Sequence, residues 1–279
     1  MTYKTILAHL TTEMASRQIL PSACALARRF QAHLIGAHTV EAIVPYPGIG
    51  LHIDDPRFKE FNDEMAAQNA RIEALFEEHA GRAGVSREWR STPARSPKAS
   101  TQLLRSALRS DLIVVAKPNP EGERVDQVGA QNSLIAQSGR PVLMIPPGAS
   151  DAKIGERALV AWNASREAVA AIQGALPLLS DAENTVVLTV ANRWSDGDLE
   201  TEGLELAAQL SRHGATVEVV HQEQTEASIG AQILASAATR GCDLVVMGAF
   251  GHSKLHSFIF GDATHHVMTE AEIPVLLSN

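Results

Sequence analysis

The sequence has little cysteine, no excess of positive charge and no long apolar run. Its two cysteines, Cys24 and Cys242, stand in apolar segments, which favours small buried residues over a disulfide or a metal pair. No run of 18 apolar residues occurs, so no membrane-spanning helix is predicted. The apolar stretch within residues 1–7 is too short for the apolar region of a signal peptide. Its pattern is typical of a first strand. A location in the reducing cytoplasm is therefore expected.

The charge balance excludes another class of partner. Aspartate and glutamate (32) outnumber lysine and arginine (24), which gives a formal net charge of −8. A nucleic-acid-binding surface should instead be basic. With 279 residues, the chain is long enough for two ordinary domains.

Four segments of the first half recur in the same order in the second half, which indicates a tandem duplication. The pairs are 5–8 with 158–161, 84–89 with 214–219, 110–116 with 242–248, and 140–145 with 273–277. Proline, glycine and polar residues at 146–151 mark the joint. The predicted domains are 1–148 and 153–279.

Short apolar runs alternate with helical patterns in both halves. In the second half the strands are predicted at about 157–162, 184–191, 216–221, 243–248 and 274–277. This alternation predicts an α/β fold in which helices cover a parallel sheet. The first half differs by a turn-rich insertion at 45–50, read either as a cover for a cleft or as a surface elaboration, and by a longer helix from about Arg57 to His79.

Three glycines follow a buried strand near the C-terminus. The apolar run Leu244–Met247 leads into Gly248 and Gly251, and Gly261 follows after nine intervening residues. Glycine permits close approach to the backbone, and free N–H groups before a helix N-terminus suit anions. The spacing therefore predicts a phosphate site.

At these residues the chain resembles a tandem universal stress protein. The glycine spacing, the segment Leu159–Ala168 and the ending Ile273–Leu277 are similar to that family over the second half, and more weakly over the first. The resemblance implies two open five-stranded parallel sheets of Rossmann-like, adenine nucleotide alpha hydrolase-like type. It also implies a stress-response protein that binds an adenine nucleotide, ATP or AMP, in the second domain.

Carried over position by position, the resemblance implies a set of nucleotide-binding residues. Asn163 would lie near the ribose or adenine and Val190 near the base, while the glycines would approach the ribose and phosphates. His252 and Ser253 are candidates for side-chain contacts with phosphate. The full set is Ala161, Asn163, Val190, Gly248, Gly251, His252, Ser253, Gly261, Asp262 and Ala263.

Two residues depart from the family pattern. Asp262 stands where the family has serine or threonine, and Asn163 where it has aspartate. Three roles are open for Asp262: it caps the following helix, it holds a Mg²⁺ that bridges to phosphate, or it repels triphosphate.

The first half lacks the glycine motif. Ala116 and Asn119 stand at the first two glycine positions, and Pro118 and Pro120 restrict the loop. Gly129 is read as a relic of the third glycine. This half is expected to bind no nucleotide and to act as a structural partner.

Neither a metal centre nor efficient catalysis is predicted. Only Asp262 could complete a ligand set with the four histidines at 252, 256, 265 and 266. No activated nucleophile or acid–base pair is identified, and slow hydrolysis of ATP stays open.

The last strands of the two halves, Val142–Ile145 and Val275–Leu277, are expected to pair between domains, since pairing removes an exposed edge. A homodimer stays open. Two alternatives to nucleotide binding are a ligand-free interaction scaffold and an enzyme of the wider nucleotide-binding α/β group.

Overall fold

Strands and helices alternate along the chain, as the apolar pattern predicts. The computed structural model describes residues 2–39, 56–92, 99–119, 122–149, 154–191, 198–249 and 262–279. The first half of the sequence contains β1 (Thr5–His9), α1 (Glu13–Phe30), β2 (His33–Thr39), α2 (Pro56–Ala83), β3 (Arg87–Thr92), α3 (Ala99–Ala107), β4 (Leu112–Ala116), α4 (Val125–Gln137) and β5 (Val142–Ile145). The second half contains β6 (Arg157–Trp162), α5 (Arg166–Leu179), β7 (Asn184–Ala191), α6 (Leu199–Arg212), β8 (Val217–Glu223), α7 (Ile229–Thr239), β9 (Leu244–Gly248), α8 (Asp262–Glu270) and β10 (Val275–Ser278).

Two compact units make up the chain, and each is built on parallel strands. The N-terminal unit comprises Lys4–Leu134, and the C-terminal unit comprises Met1–Tyr3 with Ile135–Asn279. The predicted fold class, tandem α/β units with Rossmann-like parallel sheets, is confirmed. The domain limits 1–148 and 153–279 stay a prediction.

The N-terminal unit has four parallel strands in the order β3-β2-β1-β4. β1 and β2 are buried beyond their first residues, and every residue of the wholly apolar β4 is buried, as expected where helices cover both faces of a sheet. The long helix predicted at Arg57–His79 is α2, which extends a further turn to Ala83. The turn-rich insertion at 45–50 lies outside the described residues.

The C-terminal unit has five parallel strands in the order β10-β9-β6-β7-β8. Their limits lie within two residues of those predicted. β5 joins this sheet antiparallel to β10, with Leu143 opposite Leu276. The two terminal strands therefore pair, while the pairing of the two predicted domains stays a prediction.

A repeated aspartate fixes the start of the first strand in each half. Asp111 accepts hydrogen bonds from the backbone amides of residues 4 and 5 at 2.7 and 2.9 Å. Asp243 accepts them from residues 155 and 156 at 2.9 and 3.0 Å. These amides stand at or just before the first residue of each strand and need an acceptor, so both copies of the duplication keep the same side chain for the same purpose.

Among the helices in the described part of the chain, none has the length and apolar character needed to cross a membrane.

Candidate functional site

The carboxyl ends of three adjacent strands meet in the C-terminal unit. β6 lies between β7 and β9, and Ala161 is in register with Leu188 on one side and Met247 on the other. The chain leaves β6 toward β7 and leaves β9 toward β10, so the connections diverge here. In open α/β sheets the crevice at such a divergence is the usual place for a ligand.

Asn163 organises the turn that follows β6. Its Oδ1 accepts hydrogen bonds from the Ser165 hydroxyl at 2.8 Å and from the Ser165 amide at 3.3 Å. Ser165 in turn caps α5 by accepting from the Ala168 amide at 3.1 Å. Between them, Ala164 has a φ of +56°. The carboxamide oxygen is therefore occupied by the turn, and the exposed side chain of Asn163 offers its NH₂ group as a donor.

Gly248 ends β9 against the first turn of α5. A Cβ at this position would lie 2.6 Å from the Ala168 amide nitrogen and 2.8 Å from the Glu167 Cβ. Real Cβ atoms do not approach backbone this closely, so the first glycine of the motif is required by packing alone. This reason is independent of any ligand and was not visible in the sequence.

Glu167 adds a negative charge to this edge and is not among the residues predicted from the sequence. Its side chain is buried, and its carboxylate accepts a hydrogen bond from Arg166 Nε at 2.6 Å. Burial acts to raise the pKa of Glu167, but hydrogen bonds from Arg166, its own amide and Ser165 outweigh burial and lower the pKa below its usual value. The first turn of a helix favours such a charge.

The remaining described site residues lie on β7 and α8. Val190 is half-buried next to the end of β7, in register with Gln222 of β8. Asp262 is the exposed first residue of α8, and Ala263 follows it half-buried. Gly230 of α7 sets the position of this helix start, because a Cβ there would lie 2.8 Å from the Ala263 carbonyl oxygen.

One amide of the glycine loop is already in use. Ala249 N–H donates to the Ser278 carbonyl at 2.7 Å, so it is not available to a phosphate. Gly251, His252, Ser253 and Gly261 lie outside the described residues, and their roles stay predictions.

A threonine–histidine pair near the site is structural. The Thr189 hydroxyl and His221 Nδ1 are 2.8 Å apart across β7 and β8, and His221 Nε2 lies 3.8 Å from the Glu223 carboxylate. The Thr189 side chain is fully buried, however, so a substrate cannot reach its hydroxyl. Among the described residues no group of three or more histidine, cysteine, aspartate or glutamate side chains is arranged to hold a metal ion.

The N-terminal unit carries a polar cluster at the corresponding strand ends. We call Thr11, Asn119, Glu123, Gln127 and Gln131 the Glu123 cluster. The Glu123 carboxylate accepts hydrogen bonds from the Thr11 hydroxyl, from the Asn119 amide at 2.9 Å and from Gln131 Nε2 at 3.3 Å. Asn119 stands at a glycine position of the repeat, and its backbone amide binds the side chain of Glu123, a contact that the glycine spacing does not predict.

Two histidines lie buried at the ends of β1 and β2 in the same unit. His9 and His38 are each 1% exposed, and Thr39 Oγ1 is 3.4 Å from His9 Nε2. Burial, assisted by the charge of His38, lowers the pKa of His9 to about 3. The ring of His9 is therefore neutral at physiological pH.

Comparison with known proteins agrees with this architecture. Residues 156–279 match the model of the Universal stress protein family. None of the curated proteins compared with the chain matches it. A universal stress protein from Archaeoglobus fulgidus DSM 4304 has a similar structure, with a TM-score of 0.75 at 16% identity over 99% of this chain and 96% of its own.

A functionally unknown protein from Pseudomonas aeruginosa PAO1 is also similar, with a TM-score of 0.59 at 18% identity over 99% of this chain and 92% of its own. At these identities the likeness shows the shared fold.

Proposed function

Residues 156–279 of this chain belong to the universal stress protein family, and on this premise we propose that the C-terminal unit binds an adenine nucleotide, ATP or AMP. The nucleotide would lie at the carboxyl ends of β6, β7 and β9, and binding would serve a regulatory role in a stress response. A cytoplasmic location is part of the proposal.

The observation that carries this proposal is the divergence of the chain at β6. Asn163 lies in the connection that follows β6, while Gly248 and the start of α8 bound the connection that follows β9. Together they offer an amide donor, a backbone without a side chain and a helix N-terminus, which suit ribose hydroxyls and phosphates. Val190, next to the end of β7, supplies apolar surface for a base.

Charge sets the conditions for binding. Glu167 and Asp262 place carboxylates in the first turns of α5 and α8, close to the proposed site. These negative charges would repel the negatively charged triphosphate of ATP. A bound Mg²⁺ would supply charge neutralisation, and Asp262 is the exposed carboxylate that fits it, since Mg²⁺ in nucleotide sites takes one or two carboxylates together with phosphate oxygens. We therefore propose that Mg²⁺ assists the binding of ATP more than that of AMP.

We propose nucleotide sensing rather than turnover, and two hydroxyl side chains at this edge support this. Within the described residues, Ser165 is bonded to Asn163 and caps α5, and the Thr189 hydroxyl is buried. Neither is an activated nucleophile.

Pairing within the chain completes the proposal. β5 comes from the first predicted domain, 1–148, and β10 from the second, 153–279, and these strands are hydrogen-bonded in antiparallel register. This ladder supports intramolecular pairing of the two domains, because it removes the free edge that each strand would otherwise present.

Isothermal titration of the full chain with ATP and AMP, each with and without Mg²⁺, tests the function. We expect saturable binding that Gly251→Val abolishes. Gly81→Val is the matched control, since Gly81 lies exposed on α2 and a Cβ there would meet only the Arg87 guanidinium at 3.6 Å. Absence of saturable binding to the folded wild-type chain would contradict the proposal and leave the interaction scaffold.

A further inference from the structure

The loop after β4 closes on itself around a carboxylate. The amides of Gly122 and Glu123 donate to the Asn119 carbonyl at 3.0 and 2.8 Å, and the Asn119 amide donates to Glu123 Oε2 at 2.9 Å. Asn119 occupies the position of the second motif glycine, Gly251, in the repeat. The amide that would face a phosphate in the C-terminal unit therefore binds a side chain of its own loop.

Two buried side chains bind the other oxygen of this carboxylate, Oε1. Thr11, which follows β1, donates its hydroxyl to Glu123, and Gln131 of α4 donates at 3.3 Å. Thr11 and Gln131 are 1% and 0% exposed. Their donors are fixed by packing, so the carboxylate occupies a prepared anion position.

The start of α4 is also hydrogen-bonded to the segment that contains Thr11. Gln127 Nε2 donates to the Thr11 carbonyl at 2.7 Å, and Gln127 Oε1 accepts from the Arg124 amide at 3.0 Å. Glu123 lies two residues before the first helical residue, Val125. A negative charge beside a helix N-terminus is stabilised by the unpaired N–H groups and the helix dipole.

The connection is also too short for the glycine loop of the other unit. Eight residues, 117–124, join β4 to α4, whereas thirteen, 249–261, join β9 to α8. α4 has 13 residues and α8 has nine. The first half thus has an additional helical turn and one carboxylate, while the corresponding connection of the second half is five residues longer.

From these contacts we infer that Glu123 determines ligand specificity in the N-terminal unit: its carboxylate occupies the anion position at the ends of β1 and β4 and excludes phosphate groups. The inference rests on the proposed function only for the place where a phosphate would lie. Its consequence is that the chain binds one nucleotide, and that removal of the Glu123 charge opens a second anion position.

Inorganic phosphate is the probe that tests this inference, because it needs no base pocket. The full chain is labelled with ¹⁵N-asparagine, and the Asn119 amide resonance is followed during phosphate addition to the wild type, Glu123→Gln and Glu123→Ala. Glu205→Gln, an exposed residue of α6, is the control with the same change of charge. Resonances of the N-terminal unit report independently of nucleotide binding elsewhere, so failure of the proposed function would leave this result unchanged.

We expect the Asn119 resonance to shift saturably in both Glu123 variants, with an apparent affinity at least about tenfold above that of the wild type and of the control. Glu123→Gln keeps the shape of the side chain and serves if Glu123→Ala does not fold. A saturable shift in the wild type with the same affinity as in the Glu123 variants, or no response in a folded Glu123 variant, would overturn the inference.

Discussion

Ala164 holds a backbone conformation that L-residues avoid. Its φ of +56° lies in the left-handed region, where a Cβ crowds the following carbonyl. The neighbouring Asn163–Ser165 hydrogen bonds and the cap on α5 keep the turn in this form. Strain of this kind persists where surrounding contacts fix the chain, and here it lies in the turn that presents Asn163.

Ala164→Gly should therefore stabilise the C-terminal unit. Glycine removes the crowding but loses more entropy on folding, so we expect a net gain of about 0.5–1 kcal/mol in the free energy of unfolding. Urea titration followed by circular dichroism measures it. Ala182→Gly is the control at a residue without positive φ and should destabilise by roughly 0.5 kcal/mol. Equal changes in the free energy of unfolding for the two substitutions would contradict the presence of strain at Ala164.

At the scale of elements, the order and limits of the strands follow from sequence, while the contacts that define the site do not. Apolar runs bounded by turn residues place the strands because burial on both sheet faces demands continuous apolar sequence. The Thr11–Glu123 contact joins residues 112 positions apart, and no local pattern signals it. The glycine spacing indicated a phosphate loop, but the approach of α5 to Gly248 becomes visible only when the elements are packed.

The packing of β9 on α5 predicts opposite outcomes for two glycines of the repeat. Gly248→Ala places a Cβ 2.6 Å from the Ala168 amide nitrogen, and we expect a loss of about 1–3 kcal/mol in the free energy of unfolding. Gly129 lies inside α4, and a Cβ there meets nothing within 4 Å. Gly129→Ala should therefore gain roughly 0.5–1 kcal/mol from helix propensity.

Thermal unfolding of both variants beside the wild type measures the contrast. The gain at Gly129 would show that the relic of the third glycine no longer has a backbone role in the N-terminal unit. A large loss at Gly129, or tolerance at Gly248, would contradict the packing argument.

At the scale of the whole molecule, the free energy of unfolding at low pH depends on titratable side chains that are buried in their uncharged form. His9 ends β1 with 1% exposure, beside Thr39 and within the field of His38. An unfolded chain protonates this imidazole below its ordinary pKa of 6.5, whereas the folded chain does so only near pH 3. Stability from this residue is therefore complete above pH 6.5 and is lost progressively as the pH falls toward 3.

The pH dependence of unfolding should change when His9 is replaced. Between pH 6.5 and pH 4 we expect the neutral ring to account for about 3 kcal/mol of the fall in the free energy of unfolding. His9→Asn loses some stability at neutral pH but should show a fall that is smaller by about this amount. Urea titrations at a series of pH values measure both slopes, and His213→Asn, at an exposed position, should follow the wild type. If His9→Asn and the wild type lost stability in parallel as the pH fell, the N-terminal unit would have to accommodate a charged imidazolium, and the polar residues at the ends of β1 and β2 would then form a solvated site rather than a sealed core.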